Sequence, residues 1–309
     1  MRVLITPRGF ASAGQDQIKH MQELGIEVDY NDTGKSYDAD TFLAKAKEAD
    51  GIIVGVDDMH AQVLEQLPKL KVVCKYGVGV DNIDVDWCRA HDVFVGRTVG
   101  SNSLSVAEHV VALMFCDAKL LYPTIRDVKA GGWNKRTGFE LAGKTIGIVG
   151  FGAIGRHLAD IAHGIGMDVL AYDVMPIDDA VAAEHHAKVA TFDEILETSD
   201  YVSVHVPLLD STRDLIAAPE LARMKDTACV VNCARGGIVN EADLYEALKA
   251  GTVRSAVFDT FSTEPPAADN PLLTLDNFLL TPHMGARTEE ADKRTCAMSA
   301  GIVLEHLGF

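Results

Sequence analysis

Residues 144–173, KTIGIVGFGAIGRHLADIAHGIGMDVLAYD, constrain this chain more than any other stretch. A short apolar run, Thr145 to Val149, meets Gly150-Phe151-Gly152-Ala153-Ile154-Gly155. A helix-like pattern follows to about Gly166. A second apolar run then ends at Tyr172-Asp173, with Asp173 lying 23 residues after Gly150. Gly150 permits a tight turn out of the first strand. Gly152 lets backbone approach a ligand, and Gly155 lets the helix pack closely on the strand. The free N–H groups and positive end of such a helix attract phosphates. This is the dinucleotide fingerprint in the strand–turn–helix–strand context that it requires. Asp173 is placed to accept from both ribose hydroxyls, with Tyr172 beside it. A 2′-phosphate would meet that carboxylate, and Val174, Met175 and Pro176 offer no arginine to receive it. NAD is therefore expected rather than NADP.

Composition narrows the class further. A chain of 309 residues accommodates two domains and a large core. Hydrophobic content of 48% and charged content of 24% are ordinary for a globular protein. The net charge of −17 argues against nucleic acid and anionic membrane as partners. Six cysteines show no CxxC pair and no zinc spacing, so no metal site is expected. Cys229 and Cys233 are expected to be buried, inert thiols. No run reaches the length of a membrane span, and the N-terminal apolar run is too short for a signal peptide. A reducing, cytoplasmic setting is the expectation.

The first hundred residues alternate strand-like and helix-like patterns, which implies a parallel sheet of their own. Strands are expected at Val3–Thr6, Gly51–Val54, Lys71–Lys75 and Val93–Gly96. Helices are expected at Gln15–Leu24, stopped by Gly25, and at Ala61–Leu67, stopped by Pro68. Ser103–Leu121 is apolar around more than one face, which predicts a buried crossover helix, with Pro123 at or after its end. The expected domains are 1–98 plus a helical return over 285–309, and 99–284.

In open parallel sheets, ligands bind outside the carboxyl ends of the strands. Four runs in the second half end in polar residues. Tyr201–Val206, of period-two character, ends in His205-Val206-Pro207. Ala228–Asn232 leads to Cys233-Ala234-Arg235. Ser255–Phe258 leads to Asp259, with Glu264 five residues on. Phe278–Leu280 leads to Thr281-Pro282-His283. Hydride transfer at a 2-hydroxy acid needs such a set. His283 is the natural acid/base. Glu264 beside it favours the protonated ring and orients it. Arg235 forks onto a carboxylate and polarises the reacting oxygen. Asp259 either accepts from a nicotinamide carboxamide or caps a helix. His205 either walls the adenosine pocket or is structural. His185-His186 is not expected to bind metal.

The chain resembles the D-isomer-specific 2-hydroxyacid dehydrogenase family over nearly its whole length. The matching pieces are GVGVDNID (77–84), SVAEHVVALM (105–114), GFGAIG (150–155), HVPLLDST (205–212), VNCARGGIV (231–239), FDTFSTEP (258–265) and TPHMGARTEE (281–290). The resemblance implies an α/β protein with a Rossmann-type NAD-binding domain inserted in a smaller, flavodoxin-like substrate domain. It implies catalysis by Arg235, Glu264 and His283. Backbone around Val78 and Gly79 would hold the substrate carboxylate. Thr212 and Gly285 would join the cofactor site, and a homodimer would form through the nucleotide domain. Within the family the chain is most similar to phosphoglycerate dehydrogenases and to hydroxypyruvate or glyoxylate reductases. Lys75 and Tyr76 precede the substrate loop. Lys75 either meets a second anionic group on the substrate or reaches solvent, and Arg8 is expected near the same cleft. Closure of a two-domain cleft is expected. No C-terminal regulatory extension is expected. Formate dehydrogenase is disfavoured because Glu264 stands where those enzymes resemble this chain but carry Gln. Phosphite dehydrogenases keep a similar trio. An NAD(H)-sensing binding protein akin to the C-terminal-binding-protein corepressors is the competing class, separable by turnover.

Overall fold

Four-residue apolar runs punctuated by short helices build two parallel sheets, one in each of two compact units. The computed structural model describes residues 1–309. The chain divides into residues 1–102 with 287–309, and residues 103–286.

The first unit begins with β1 (Arg2–Ile5), α1 (Phe10–Ala13), α2 (Gln15–Glu23), β2 (Glu27–Tyr30) and α3 (Ala39–Ala46). It continues through β3 (Gly51–Val54), α4 (Ala61–Leu64), β4 (Val72–Lys75), α5 (Val85–Ala90) and β5 (Phe94–Arg97). The sheet order is β2-β1-β3-β4-β5 with every pair parallel, the flavodoxin-like order. Residues of β3 are buried on both faces because helices cover both sides. Helix α2 stops where expected, with Gly25 at φ +80°. Helix α4 is shorter than expected and ends at Leu64, and residues 65–67 finish in turns before Pro68.

The second unit opens with α6 (Ser103–Ala118) and α7 (Leu121–Lys129). It continues through β6 (Thr145–Val149), α8 (Ala153–Gly164), β7 (Asp168–Tyr172), α9 (Asp179–Glu184), β8 (Ala187–Val189) and α10 (Phe192–Thr198). Then follow β9 (Tyr201–Val204), α11 (Ala218–Leu221), β10 (Cys229–Asn232), α12 (Glu241–Ala250), β11 (Ser255–Phe258) and β12 (Phe278–Leu280). Its seven parallel strands run β12-β11-β10-β9-β6-β7-β8, a Rossmann sheet extended by one strand. The chain then returns as α13 (Glu289–Leu307), whose Cys296, Ala300, Val303 and Leu307 complete a core of the first unit.

Two local expectations are corrected. The long helix ends at Ala118, not Leu121, because Leu120 adopts φ +52°. Pro123 follows that end, as expected, and sits in the first turn of α7, where a missing N–H costs nothing. Strand β9 ends at Val204, and all four of its residues are buried. It lies between β10 and β6 with both faces covered, so period-two burial is absent.

Candidate functional site

The glycine turn of the second unit is shaped by contacts that only glycine tolerates. Gly150 has φ +101°, and a Cβ there would come within 2.7 Å of the His205 backbone. A Cβ on Gly155 would collide with the Gly150 carbonyl, which is the close helix–strand packing that the sequence predicts. Around Gly152, by contrast, a Cβ would meet nothing within 4 Å. Gly152 is itself the N-cap of α8, which has no side-chain cap hydrogen bond and no acidic residue in its first turn. An uncapped helix start beside open backbone fits a pyrophosphate. At the end of β7, Asp173 accepts from the Phe151 N–H at 2.8 Å and the Met175 N–H at 3.0 Å. Its carboxylate is thus fixed next to the turn, where a ribose would lie, so the residues present fit a dinucleotide. Tyr172 packs against Phe192.

His205 follows β9. Its Nε2 pairs with Ser203 Oγ at 2.8 Å, while Nδ1 is buried without a partner. Burial pushes its pKa down to about 4, so the ring is neutral at physiological pH. Beyond Val206, Thr212 Oγ1 donates to the Pro207 carbonyl at 2.6 Å and accepts from the Leu209 N–H, locking the 207–212 turn.

Arg235, Glu264 and His283 follow β10, β11 and β12, which are neighbours in the sheet, so all three emerge at one edge. Buried Asn232 shapes the first loop. It accepts from the Ala234 N–H at 3.1 Å and donates to the Arg235 carbonyl at 2.8 Å. Arg235 Nη1 donates to the Ala234 carbonyl at 2.7 Å. Gly236 fits flush against Phe261 and Ser262, where any Cβ would overlap backbone. Phe261 in turn donates its N–H to Glu264 Oε1 at 3.0 Å. The other oxygen, Oε2, meets His283 Nδ1 at 2.7 Å. The predicted carboxylate–imidazole pair is therefore formed, and both members remain partly exposed, at 38% and 49%.

Two further predicted residues, Asp259 and Cys233, are buried. Asp259 is 2% exposed, and its carboxylate takes hydrogen bonds from Thr281, Met284 and Gly285. These bonds hold the turn after β12. Cys233 is buried, and burial pushes its thiol pKa well up, so it is an inert wall. In the first unit, Tyr76 stands before the substrate loop that the resemblance implies, and its hydroxyl turns inward to the Asp292 carbonyl (3.3 Å) and Cys296 Sγ (3.4 Å). The Lys75 ammonium donates to the Gly55 carbonyl and to Asn82 Oδ1, both at 2.6 Å, so it braces two loops. Gly77 has φ +147°, and Val78 is 37% exposed beside Gly79. Arg8 is exposed on the loop after β1. His185 pairs with Asp160 and His186 stacks on His163. One residue escaped the sequence reading: His109 on α6, which reaches Thr281 and Asp259. It lies within the SVAEHVVALM motif, but nothing in helical periodicity separates it from core.

The family model described as "D-isomer specific 2-hydroxyacid dehydrogenase, NAD binding domain" matches residues 111–285. The D-3-phosphoglycerate dehydrogenase of Archaeoglobus fulgidus is 40% identical over 280 residues, covering 90% of this chain and 52% of that protein. The chain thus spans about half the length of such relatives. The hydroxypyruvate reductase of Thermotoga maritima is 36% identical over 282 residues, covering 90% of this chain and 91% of that one. Among solved structures, the TT0316 protein of Thermus thermophilus superposes with a TM-score of 0.89 at 29% identity, covering 99% of this chain and 97% of that one.

Proposed function

The chain belongs to the D-isomer specific 2-hydroxyacid dehydrogenase family, and from that premise we propose that it interconverts a small D-2-hydroxy acid and its 2-keto acid with NAD. The observation that carries this reading is the 2.7 Å pair of His283 Nδ1 and Glu264 Oε2, at the sheet edge that also presents Arg235.

NAD, when bound, accepts or returns the hydride. The remaining duties fall to the chain. Glu264 accepts the Nδ1 proton of His283 and so leaves Nε2 facing the reacting oxygen. In oxidation, Nε2 takes the hydroxyl proton as the carbonyl forms; in reduction it gives that proton back. Glu264 stabilises the imidazolium in between. Arg235 binds the carboxylate and polarises the carbonyl oxygen.

The state of Lys75 favours a glyoxylate- or hydroxypyruvate-type reductase over a phosphoglycerate dehydrogenase. Its ammonium is engaged by Gly55 and Asn82, so it acts as a loop brace rather than as a clamp for a second anion. We also propose a homodimer through the second unit, supported by the exposed apolar side chains of α7.

The test is NADH oxidation across glyoxylate, pyruvate, hydroxypyruvate, its phosphate, sulfopyruvate, oxaloacetate and 2-ketoglutarate. Native protein, His283→Ala, Arg235→Ala and Lys75→Ala are compared. The first two variants should lose at least about a hundredfold in turnover while still binding NADH. Unchanged turnover in either, or tight NADH binding with no turnover on any acid by native protein, refutes the enzyme reading. Lys75→Ala should lower kcat/KM for singly and doubly anionic acids alike. A loss confined to the dianions would restore the phosphoglycerate-like assignment.

A further inference from the structure

Beneath the His283 turn, three side chains from separate elements converge. His109 stands on α6 with its side chain 15% exposed. Its Nε2 lies 2.9 Å from Thr281 Oγ1 and 3.4 Å from Asp259 Oδ1. The Thr281 hydroxyl meets the same Asp259 oxygen. Asp259 Oδ1 also accepts from the Met284 N–H at 3.0 Å, and Oδ2 from the Gly285 N–H at 2.8 Å.

The protons in this cluster can be assigned from donor capacity. Burial pushes the Asp259 carboxyl up, but the hydrogen bonds from His109, Thr281, Met284 and Gly285 outweigh it and hold its pKa below the usual value. An ionised carboxylate only accepts, so Thr281 gives it the single hydroxyl proton. The Thr281 oxygen is then left as an acceptor, and His109 must carry its proton on Nε2. The result is a one-way relay of donors, from His109 to Thr281 to Asp259.

That relay ends on the turn carrying His283. His283 has φ +51°, a left-handed conformation that is strained for a non-glycine residue. Such a conformation persists only where its surroundings over-determine it. Here the His283 N–H is held by the Asp259 and Thr281 carbonyls at 2.8 and 3.0 Å. The next two N–H groups are held by the Asp259 carboxylate. Gly285 fits flush on the same pair, since a Cβ there would lie 3.1 Å from Asp259 Oδ2 and 3.4 Å from the His109 ring.

We propose that His109 is a positioning residue for His283. From α6 it fixes the Thr281 hydroxyl on Asp259, and Asp259 clasps residues 283–285 so that the imidazole stays aimed at Glu264. This rests on the reading of His283 as the acid/base. His109 acts through other groups: its path to the clasped turn runs over three hydrogen bonds, to Thr281, to Asp259 and on to the Met284 and Gly285 N–H groups.

The test uses the full chain and compares His109→Leu, His109→Gln, Thr281→Val, Thr281→Ser, the His109→Leu/Thr281→Val double variant and His283→Ala. Turnover per folded molecule, NADH affinity and melting temperature are measured for each. His109→Leu and Thr281→Val should each lower kcat by about tenfold to a hundredfold, as a small misplacement of a reacting group does. NADH affinity should stay within about threefold, because the effect is on the chemical step. Gln at 109 and Ser at 281 keep the donor and the hydroxyl, and should restore most of the turnover. The double variant should be no worse than either single one, because both break the same relay. Full turnover in His109→Leu, or a double loss equal to the product of the single losses, overturns the proposal. If His109→Leu does not fold, the Thr281 pair and its Ser rescue carry the same test. His283→Ala separates the two levels. If it keeps full turnover, the acid/base reading falls and this inference with it. If it is dead while His109→Leu is normal, only the positioning role falls.

Discussion

His205 stands where β9 gives way to the turn, and its ring has conflicting surroundings. Nε2 has a partner in Ser203, but Nδ1 is buried with none. Adding a proton would place a charge there without solvation, so burial holds the folded pKa near 4, below the ordinary 6.5. The linkage has a definite sign. Between pH 6.5 and 4 the unfolded chain binds a proton that the folded chain refuses. This group's contribution is therefore fully present above pH 6.5 and is lost as pH falls toward 4. One such group adds a slope of up to about 1.4 kcal/mol per pH unit in that window. Urea unfolding of native protein and His205→Gln from pH 8 to 4.5 should show it. The native curve should fall more steeply below pH 6.5, while curves that run parallel would mean the ring is already solvated. Asp259 acts lower down: its depressed carboxyl contributes stability that is present above the ordinary carboxylate pKa and is lost as pH falls from there, mostly below this interval.

At the scale of elements, α6 matters because it carries His109, and one buried ion pair pins its far end. Asp117 is 5% exposed and takes both Nη1 and Nη2 of Arg254 at 2.9 Å, just before β11. Tyr201 at the start of β9 donates to the same carboxylate at 2.7 Å. The Arg254 guanidinium also lies over the Phe139 ring, 4.6 Å from its centroid. Removing one partner strands a charge and a hydroxyl, so Asp117→Ala should destabilise by about 3–5 kcal/mol in chemical denaturation. A change under about 1 kcal/mol would mark the pair as solvent-screened instead. Such partners show how far a linear reading carries. The β6–α8–β7 segment was legible because glycine spacing and apolar runs are local. Arg235, Glu264 and His283 were legible because a parallel sheet puts every strand end at one edge. The burial of β9 was misread, since a central strand covered on both faces has no alternation to display. The Leu120 break was unreadable, because a leucine at positive φ carries no local signal. Lys75 and His109 find partners 20 and 172 residues away, and only folding brings those together.

At the scale of the whole molecule, α7 presents an uncovered apolar face. None of its residues is buried. Leu121, Tyr122, Ile125 and Val128 are 42%, 54%, 54% and 45% exposed, and they recur at helical spacing along one stripe. Trp133, four residues beyond the helix, is 78% exposed. A contiguous apolar stripe of this kind on a chain with net charge −17 is not needed for solubility and marks an interaction surface. The family resemblance makes a second copy the expected occupant, and a twofold contact would use the same stripe on both copies. Light scattering after size exclusion should therefore give twice the chain mass for native protein. Ile125→Asp with Trp133→Ala should give the monomer mass, since a buried unpaired carboxylate cannot be accommodated across such a contact. The folded monomer should retain NADH binding, because the glycine turn, Asp173 and His205 all lie on other elements of the same chain. Native protein that runs as a monomer at high micromolar concentration would assign the stripe to a different partner.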